Sequence, residues 1–370
     1  MTEPDGGNWA QLKEQSRPLD RVRTGLQDWM RTRLQDPGLT IGPLSPPAGT
    51  GVANETLLFD AERSAGRIDG FVARLATDNP LYLDYDLSIH CRMYAVMQEA
   101  PLVPTPAVVG YEPDAAPIGT PFFVMAKIDG AIPSDNPSWG AKGFVVNATP
   151  AQRRQMWEQT VQMMAQLHQL DAEPFLFLRT GAGDDGVGDC LDYWMRSLRW
   201  ANPTQPVPLT GEAERWLVTN RPAGTALSWG DSRLPNVIYR NYTPVGLLDW
   251  DLVSLAGPQA DLAWWIIMAP AESLQLDGIG THDELVDLWE DLTGMTAADL
   301  HWFLVFGAYR LAAIVAKLMS MFVAQGRMPA QLADEQLSSG LHVQLLAGLL
   351  DLQPPPGVAP VVPEVRWNRG

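Results

Sequence analysis

Four polar side chains border two short apolar runs in residues 227–251, and their types suit a site for a metal ion and phosphate. Asp231 and Asn236 lie at the start of the first run, and Asp249 and Asp251 follow the second. Carboxylates beside apolar strands are costly unless a cation or a hydrogen-bond donor meets them. Mg²⁺ prefers a few hard oxygen ligands, which leaves room for water and phosphate. The segment therefore has the chemistry to hold a metal ion against phosphate groups.

The link between the two runs, residues 240–244, is rich in turn-forming residues and predicts a β-hairpin. Asp231 and Asn236 stand five positions apart, which is the Asp-to-Asn spacing of the catalytic loop in protein-kinase-like enzymes. This spacing alone is a weak signal, because Asp and Asn are also common in turns. The apolar run that ends at Asp249 makes the combination more specific.

The segment resembles a known family of enzymes. Residues 229–236 read Trp-Gly-Asp-Ser-Arg-Leu-Pro-Asn, and residues 249–251 read Asp-Trp-Asp. Both are similar to motifs of the aminoglycoside phosphotransferases and their choline-kinase-like relatives, in which His-Gly-Asp-x-x-x-x-Asn precedes a hairpin and Asp-Trp-Asp or Asp-Trp-Glu. Residues 257–264 resemble a third motif of that family. Trp229 stands where the family has His.

The resemblance implies transfer of the γ-phosphoryl group of ATP to a hydroxyl of a small molecule. In that mechanism Asp231 receives the hydroxyl proton, while Asn236 and Asp249 hold Mg²⁺ against the phosphates. Asp261 is expected to be a structural hydrogen-bond acceptor. Arg233 either stabilises the loop or contacts the transferring phosphate, and both alternatives stay open. The residues expected to support the loop or the substrate are Trp229, Arg233 and Asp251.

The family's phosphate-binding elements have counterparts earlier in the chain. A turn of small residues at 49–56 precedes an apolar strand, and it lets backbone amides approach phosphate oxygens closely. Its expected contacts are Gly49, Gly51 and Asn54, and an ordinary hairpin turn is the alternative. Arg74, near the end of the strand 71–75, takes the place of the kinase lysine that meets the phosphates, and a solvated surface arginine is the alternative.

The helix predicted at residues 86–98 departs from the family pattern. Met93 stands where the family carries the Glu that pairs with the strand cation. The usual ion pair therefore cannot form, and the sequence leaves three possible substitutes, Asp84, Asp86 and Glu99.

Two more strands are predicted at residues 103–109 and 121–125, around a turn rich in Pro and Gly. The second resembles the family's hinge, where the end of a strand offers backbone donors and acceptors to adenine. The expected adenine contacts are Met125, Ala126, Lys127 and Ile128. The boundary between the two lobes is predicted near Gly130.

The rest of the chain is predicted to be mainly helical. Thr149 begins a capping box with Pro at the first helical position. His168, at the end of that helix, is expected to be structural rather than catalytic. Residues 181–189 are predicted to be a loop, in which Asp184 and Asp185 either meet a cationic substrate or are simply solvated, and both alternatives stay open. Further helices are predicted at residues 261–268, 300–322 and 332–350.

These elements predict an α+β, two-lobed, protein-kinase-like fold with a small antiparallel-sheet N-lobe and a larger, mainly helical C-lobe. The predicted organisation is a helical extension over residues 1–40, a nucleotide-binding N-lobe over 41–130, a catalytic and substrate-binding C-lobe over 131–350, and a Pro-rich tail over 351–370. A chain of 370 residues is long enough for two separate cores.

Composition excludes several classes of partner. The net charge of −17 disfavours nucleic acid and anionic membranes, because both would be repelled. No uncharged apolar run reaches the length of a membrane span, since Arg310 and Lys317 interrupt the longest one. The first residues lack the pattern of a secretory signal, and two cysteines are too few for a disulfide framework. We therefore expect a cytoplasmic protein.

Two classes of function remain. The first is an ATP- and Mg²⁺-dependent kinase of a small hydroxyl compound, with amino sugars, choline-like amines, sugars and acyl-linked hydroxy acids as alternative acceptors, some of them cationic. The second is a nucleotide-binding pseudokinase with a regulatory or scaffolding role, which the departures at Trp229, Arg74 and Met93 favour. The presence of all three residues closest to the chemistry favours the enzyme. An unrelated α/β hydrolase is disfavoured, because the chain has no Gly-x-Ser-x-Gly motif.

Overall fold

A computed structural model describes residues 17–47, 55–99, 103–135, 137–203, 205–272 and 276–366. The chain divides into two compact units. The first unit comprises Met1–Pro80, Tyr85–Asn147 and Val237–Leu248, and the second comprises Leu81–Asp84, Ala148–Asn236 and Asp249–Gly370. The first contains the larger sheet and the second is mainly helical, so the prediction of a two-lobed α+β fold is confirmed.

The first unit is built on a five-stranded antiparallel sheet with the order β1-β2-β3-β5-β4. Its strands are β1 (Thr40–Ile41), β2 (Glu55–Glu62), β3 (Ile68–Leu75), β4 (Val108–Glu112) and β5 (Phe122–Ala126). The strand predicted at 103–109 begins later than expected. Pro104 and Pro106 have no N–H to donate to a neighbouring strand, so regular pairing starts only at Val108.

Helix α1 (Leu19–Arg33) belongs to the core of the first unit. Val22, Leu26 and Met30 recur every four residues, and all three are buried in one cluster with sheet residues such as Phe59 and Phe122. The prediction placed this helix in a separate extension over residues 1–40. Helix α1 belongs instead to the first unit, because its apolar face completes the sheet's core. Two further helices complete the unit: α2 (Leu87–Met97) and α3 (Phe144–Asn147).

The predicted hairpin is present as β6 (Val237–Arg240) and β7 (Thr243–Leu247). Its turn consists of two residues, Asn241 and Tyr242, and is shorter than the predicted link over 240–244. Both residues have positive φ, as a type I′ turn requires. The hairpin is part of the first unit. Ala131 and Tyr239 exchange backbone hydrogen bonds, and the predicted boundary near Gly130 is wrong for that reason.

The second unit contains eight helices among the residues described. They are α4 (Pro150–His168), α5 (Gly186–Ala201), α6 (Thr210–Thr219), α7 (Pro258–Glu272), α8 (His282–Thr293), α9 (Leu300–Ala324), α10 (Ala330–Ser339) and α11 (Leu341–Leu350). The capping box predicted at Thr149 is present, because its hydroxyl accepts from Gln152 N and the Gln152 side chain accepts from Thr149 N.

Helix α9 is the central element of the second unit, and α5, α7 and α11 pack against it. Within the described part of the chain it is the one helix long and apolar enough, by length and composition, to cross a membrane. Two thirds of its apolar stretch, 67%, is buried inside the fold. Its composition is therefore that of a core helix surrounded by other helices.

Two predicted elements of this unit differ from the structure. The single helix predicted at 332–350 is two helices, because the extended backbone of Gly340 (ψ 169°) separates α10 from α11. The loop predicted at 181–189 ends early. Asp185 accepts a hydrogen bond from Gly188 N, and this cap starts α5 at Gly186 despite the low helix propensity of glycine.

Candidate active site

A constrained turn presents Asp231. Gly230 has φ +97°, and a Cβ at this position would lie 2.0 Å from the Leu252 carbonyl oxygen. Both the backbone conformation and the space therefore require glycine. Just before the turn, Ser228 and Ser254 pair through two backbone hydrogen bonds of 3.0 and 3.2 Å, which fixes the approach to it.

The Asp231 carboxylate accepts four hydrogen bonds. Oδ1 accepts from Arg233 Nε at 2.8 Å and from Trp264 Nε1 at 2.6 Å. Oδ2 accepts from Arg233 Nη2 at 3.1 Å and from Asn236 Nδ2 at 2.7 Å. Burial alone would raise the pKa of Asp231, but the Arg233 charge and these donors outweigh it and hold the pKa below its ordinary value. The carboxylate is therefore ionised at neutral pH.

Asn236 is fixed by the same loop. Its Nδ2 donates to the backbone oxygen of Asp231 at 2.8 Å as well as to Oδ2. Both partners are oxygens that only accept hydrogen bonds, so the NH₂ group of the amide must face them and its oxygen must face away. Within the described part of the chain, no group donates to the amide oxygen. That oxygen is a hard ligand suited to a cation.

Asp249 lies where the chain leaves the hairpin. Its φ of +60° is in the left-handed region, which is unusual for a residue with a side chain and typical of functional positions. Its Oδ1 accepts from Asp251 N at 3.2 Å, and Trp250 between them is fully buried. The two aspartates are half-buried.

Tyr82 is a buried phenol on which the charges of all three aspartates act. Burial raises the pKa of this phenol well above its usual range, and the charges of Asp251, Asp231 and Asp249 raise it further. Its ring packs edge-on against Trp194 at 6.5 Å. Sequence reasoning missed Tyr82, because it lies some 150 positions from the aspartates in a short segment without a motif.

Asp261, in the first turn of α7, anchors the residues just before Asp231 through hydrogen bonds. Its side chain is fully buried and accepts from Trp229 N at 2.6 Å, Gly230 N at 2.7 Å and Ser228 Oγ at 3.1 Å. These contacts confirm the prediction of a structural acceptor. His168 Nε2 is a fourth partner, at 2.8 Å.

The tautomer of His168 follows from its other neighbour. Trp289 Nε1 lies 2.9 Å from His168 Nδ1, and an indole nitrogen can only donate. Nδ1 is therefore unprotonated, so Nε2 carries the hydrogen and donates to Asp261. The predicted structural role of this helix-end histidine is confirmed.

The side chain of Trp229 has no solvent exposure. Its backbone N–H is used by Asp261, and its ring is among the largest fully buried side chains of the described residues. The residue therefore fills interior space, which is what a packing substitute for the family's histidine requires. The effect of exchanging it stays a prediction.

The first unit contains the residues predicted to bind nucleotide. Arg74 on β3 is 8% exposed, which is too little for the alternative of a solvated surface arginine. Met93 is fully buried in α2. Two of the carboxylates considered as substitutes are committed elsewhere, since Asp84 pairs with Arg196 at 3.0 Å and Asp86 caps α2.

The predicted adenine contacts are only partly available. Ala126 N donates to Ala107 O at 2.7 Å and Lys127 N donates to Gly70 O at 2.9 Å, so the sheet uses both donors. The prediction is wrong for these two amides, because β5 continues to Ala126 and Lys127, just beyond it, still bonds to β3. Met125 is buried and Ile128 is half-buried. The predicted phosphate contacts Gly49, Gly51 and Asn54 lie outside the described residues.

The acidic residues at the start of α5 have structural partners. Asp185 caps the helix, accepts from Gly224 N at 2.9 Å and pairs with Arg221 at 2.5 Å. Asp185 is therefore engaged by the protein itself, whereas the sequence had suggested that it could meet a cationic substrate. Asp184 is exposed and lines an open cavity of about 270 Å³ together with Asp192 and Arg221.

Sequence reasoning gave no role to Trp264 and Arg310. Trp264 was part of a matched motif, but its contact with Asp231 depends on how α7 is placed. In the sequence, Arg310 stands out only as a charge within the longest apolar run. A charged residue in a core helix is rare unless it has a partner, and that rarity was the available signal.

An antiparallel-sheet unit, a helical unit and an Asp-x-x-x-x-Asn loop held beneath by an aspartate together define a kinase-like phosphotransferase. Residues 47–295 match the model of the phosphotransferase enzyme family named APH. The chain belongs to this aminoglycoside-phosphotransferase family.

Among relatives of known sequence, acyl-CoA dehydrogenase family member 11 of Pongo abelii is 25% identical over 238 residues, which is 60% of this chain and 29% of that protein. Member 10 of Mus musculus is 28% identical over 166 residues, which is 44% of this chain and 15% of that protein. The chain thus spans less than a third of the length of these relatives.

Two solved structures illustrate the shared fold. A Ralstonia eutropha protein provisionally assigned as an aminoglycoside phosphotransferase has a TM-score of 0.63 at 21% identity, covering 85% of this chain and 94% of that one. Aminoglycoside phosphotransferase APH(4)-Ia, in a ternary complex with ADP and hygromycin B, has a TM-score of 0.52 at 12% identity, covering 85% and 97%.

Proposed function

We propose that this phosphotransferase moves the γ-phosphoryl group of ATP to a hydroxyl of a small molecule, with Asp231 receiving the hydroxyl proton. The observation that carries the proposal is the ionised, fully oriented Asp231 carboxylate in contact with Asn236. A protein that only bound nucleotide would have no need of a proton acceptor held in this way. The pseudokinase alternative rests on the departures at Trp229, Arg74 and Met93 from the family's motifs.

The proposed reaction is a displacement at phosphorus. The acceptor oxygen forms a bond to the γ-phosphorus, the bond from that phosphorus to the β–γ bridging oxygen breaks, and ADP leaves. The acceptor proton passes to Asp231 as the new bond forms. A carboxylate with a low pKa is a weak base, so its main contribution is to orient the hydroxyl and take the proton late.

Asn236 and Asp249 have the oxygen ligands that Mg²⁺ prefers. Within the described part of the chain no cluster of three or more His, Cys, Asp or Glu side chains is arranged to hold a metal. Mg²⁺ does not need such a cluster. It keeps several waters and is typically bound by one or two protein oxygens together with the substrate phosphates. The bound ion would neutralise charge on the phosphates.

ATP is proposed as the donor on two grounds. Arg74 provides a mostly buried cation on β3, and a guanidinium grips phosphate oxygens with two parallel hydrogen bonds. Proteins of the same fold have been solved with ADP and with ATP.

The acceptor is the open part of the proposal. Neighbours of the same fold were solved with hygromycin B and with streptomycin, whereas the relatives of similar sequence are named as acyl-CoA dehydrogenases. The two acceptors to compare are therefore a hydroxylated amino sugar and an acyl thioester that carries a hydroxyl. The net charge of −17 favours the cationic one.

An acceptor screen tests the proposal. Formation of ADP would be measured with Mg²⁺ and ATP in the presence of amino sugars, amines, hydroxy acids and hydroxyacyl thioesters, and each product examined for a new phosphate ester. We expect one class to stimulate ADP formation and to be phosphorylated. Nucleotide binding without phosphorylation of any class would support the pseudokinase instead.

A further inference from the structure

Helix α9 carries a guanidinium in an otherwise apolar interior. Arg310 is 1% exposed, and its Nη2 donates to the Gly230 carbonyl oxygen at 2.9 Å. Its Nε has no hydrogen-bond partner among the described residues, and no carboxylate there lies within ion-pair distance. A buried cation without a paired carboxylate is costly, so other interactions must stabilise it.

Aromatic rings surround this cation. The Arg310 guanidinium lies 4.4 Å from the centre of the Trp264 ring, 5.3 Å from that of Trp194 and 5.8 Å from that of Phe306. Cation–π attraction is strongest when the pair is desolvated, as it is here. Burial lowers the pKa of Arg310, while negative charge on its neighbours, including Asp261 and Asp231, opposes that change.

Two of the partners of Arg310, Gly230 and Trp264, are directly linked to Asp231. Gly230 is the residue before it, and its carbonyl orientation sets the direction in which the chain enters Asp231. Trp264 donates from Nε1 to Asp231 Oδ1 at 2.6 Å. A cation over the face of an indole draws electron density from the ring, which makes its N–H a stronger donor.

We propose that Arg310 is a positioning residue for Asp231, acting through the Trp264 ring and the Gly230 carbonyl. This inference rests on the proposed phosphoryl transfer for its effect on turnover, but the geometric claim is independent of it. Arg310 does not touch the reacting atoms, because Trp264 and Gly230 lie between it and the carboxylate.

A purely structural role predicts different behaviour. Arg310→Met removes a costly unpaired charge from the interior and leaves an unbranched apolar side chain in its place. If Arg310 only filled the core, Arg310→Met would fold well and keep its turnover. If Arg310 positions Asp231, the same variant folds but holds the carboxylate less accurately.

The matched control lies on the same helix. Lys317 is half-buried, and its Nζ lies 3.8 Å from the centre of the Trp200 ring. Lys317→Met removes a second cation–π pair of α9 that has no contact with the loop. We expect Arg310→Met to lower kcat by about 10- to 100-fold with KM for ATP little changed, as for a small misplacement of a catalytic group. Arg310→Lys should recover part of the loss, and Lys317→Met should match wild type.

A spectroscopic measurement separates this inference from the proposed function. In protein labelled with ¹⁵N at the indoles, the Trp264 Nε1–H resonance can be assigned by its loss in Trp264→Phe. We expect it to shift in Arg310→Met and not in Lys317→Met, whether or not an acceptor is known. If Arg310→Met does not fold, the same comparison is made with Arg310→Gln, which also removes the charge. An unmoved resonance, or turnover equal to that of Lys317→Met, would overturn the proposal.

Discussion

Asp231 is a partly buried carboxylate whose two oxygens both accept hydrogen bonds from the protein. Three different side chains donate to it, and one of them, Arg233, does so with two nitrogens. Of the two roles left open for Arg233, the observed contact supports the loop-stabilising one. These hydrogen bonds lower the basicity of the carboxylate. In the proposed reaction they also keep it ionised and in place while the acceptor binds.

At the same scale, Trp229 tests whether packing can replace the family's histidine. Trp229→Ala should destabilise the fold by about 3–5 kcal/mol, because a fully buried indole leaves a large cavity. Trp229→His should be tolerated without creating activity that wild type lacks. Urea unfolding measures the first effect, with the half-buried Trp216→Ala as a milder control. An inert wild type made active by Trp229→His would contradict the packing account.

Much of the site could be read from sequence at the scale of single residues. Asp231, Asn236 and Asp249 belong to motifs with fixed spacing, and Asn236 does contact Asp231. Trp264 and Arg310 could not be assigned, because their contacts with the loop join segments 33 and 80 positions apart. Spacing along one element carries no information about such contacts.

At the scale of elements, the sequence predicted the features that depend on hydrogen bonds between neighbouring residues. The capping box at Thr149 and the hairpin after Asn236 are present because their hydrogen bonds lie within a few residues. The start of α5 was missed. A glycine-rich segment reads as a loop, and only the cap from Asp185 and the packing of buried Val187 and Leu191 make it helical.

Asp189, in the first turn of α5, makes this element sensitive to pH. Burial would raise its pKa, but Arg179 and the amides of Gly183, Gly181 and Thr180 lower it to about 2. A depressed pKa in the folded state stabilises the fold above the unfolded-state pKa, near 3.8, and this stability is lost as pH falls towards 2.

Asp189→Asn should therefore be less stable than wild type at pH 7, and the difference should shrink between about pH 4 and pH 2. Urea unfolding at several pH values measures it, with the exposed Asp291→Asn as the matched control. A difference that does not change with pH would show that Asp189 acts only through its shape.

At the scale of the whole molecule, the division into two units departed most from prediction. The hairpin β6–β7 returns to the first unit through hydrogen bonds such as Leu247 N to Pro104 O, and α1 packs into the same core. Both contacts join distant parts of the chain. The fold class was predictable from motifs and periodicity, while the boundaries depended on tertiary contacts that neither reveals.

The charge of the whole chain bears on its nucleotide. A net charge of −17 repels free ATP, and under the proposed assignment Mg²⁺ would reduce that repulsion while Asn236 and Asp249 hold it. ATP should therefore raise the melting temperature only with Mg²⁺, by an amount equivalent to about 2.7 kcal/mol at a hundredfold excess over Kd. Asp249→Asn should reduce the Mg²⁺-dependent part. Equal thermal shifts with and without Mg²⁺ would contradict the metal assignment.

The most direct test of the central claim is the turnover of Asp231→Asn with an acceptor that wild type phosphorylates. The variant keeps the shape of the side chain but removes the proton acceptor, so kcat should fall by about 10²–10⁴-fold. ATP binding, measured by the Mg²⁺-dependent thermal shift, should persist, and Asp291→Asn should behave as wild type. Unchanged turnover of Asp231→Asn would contradict the account, because Asp231 would then be a bystander to phosphoryl transfer.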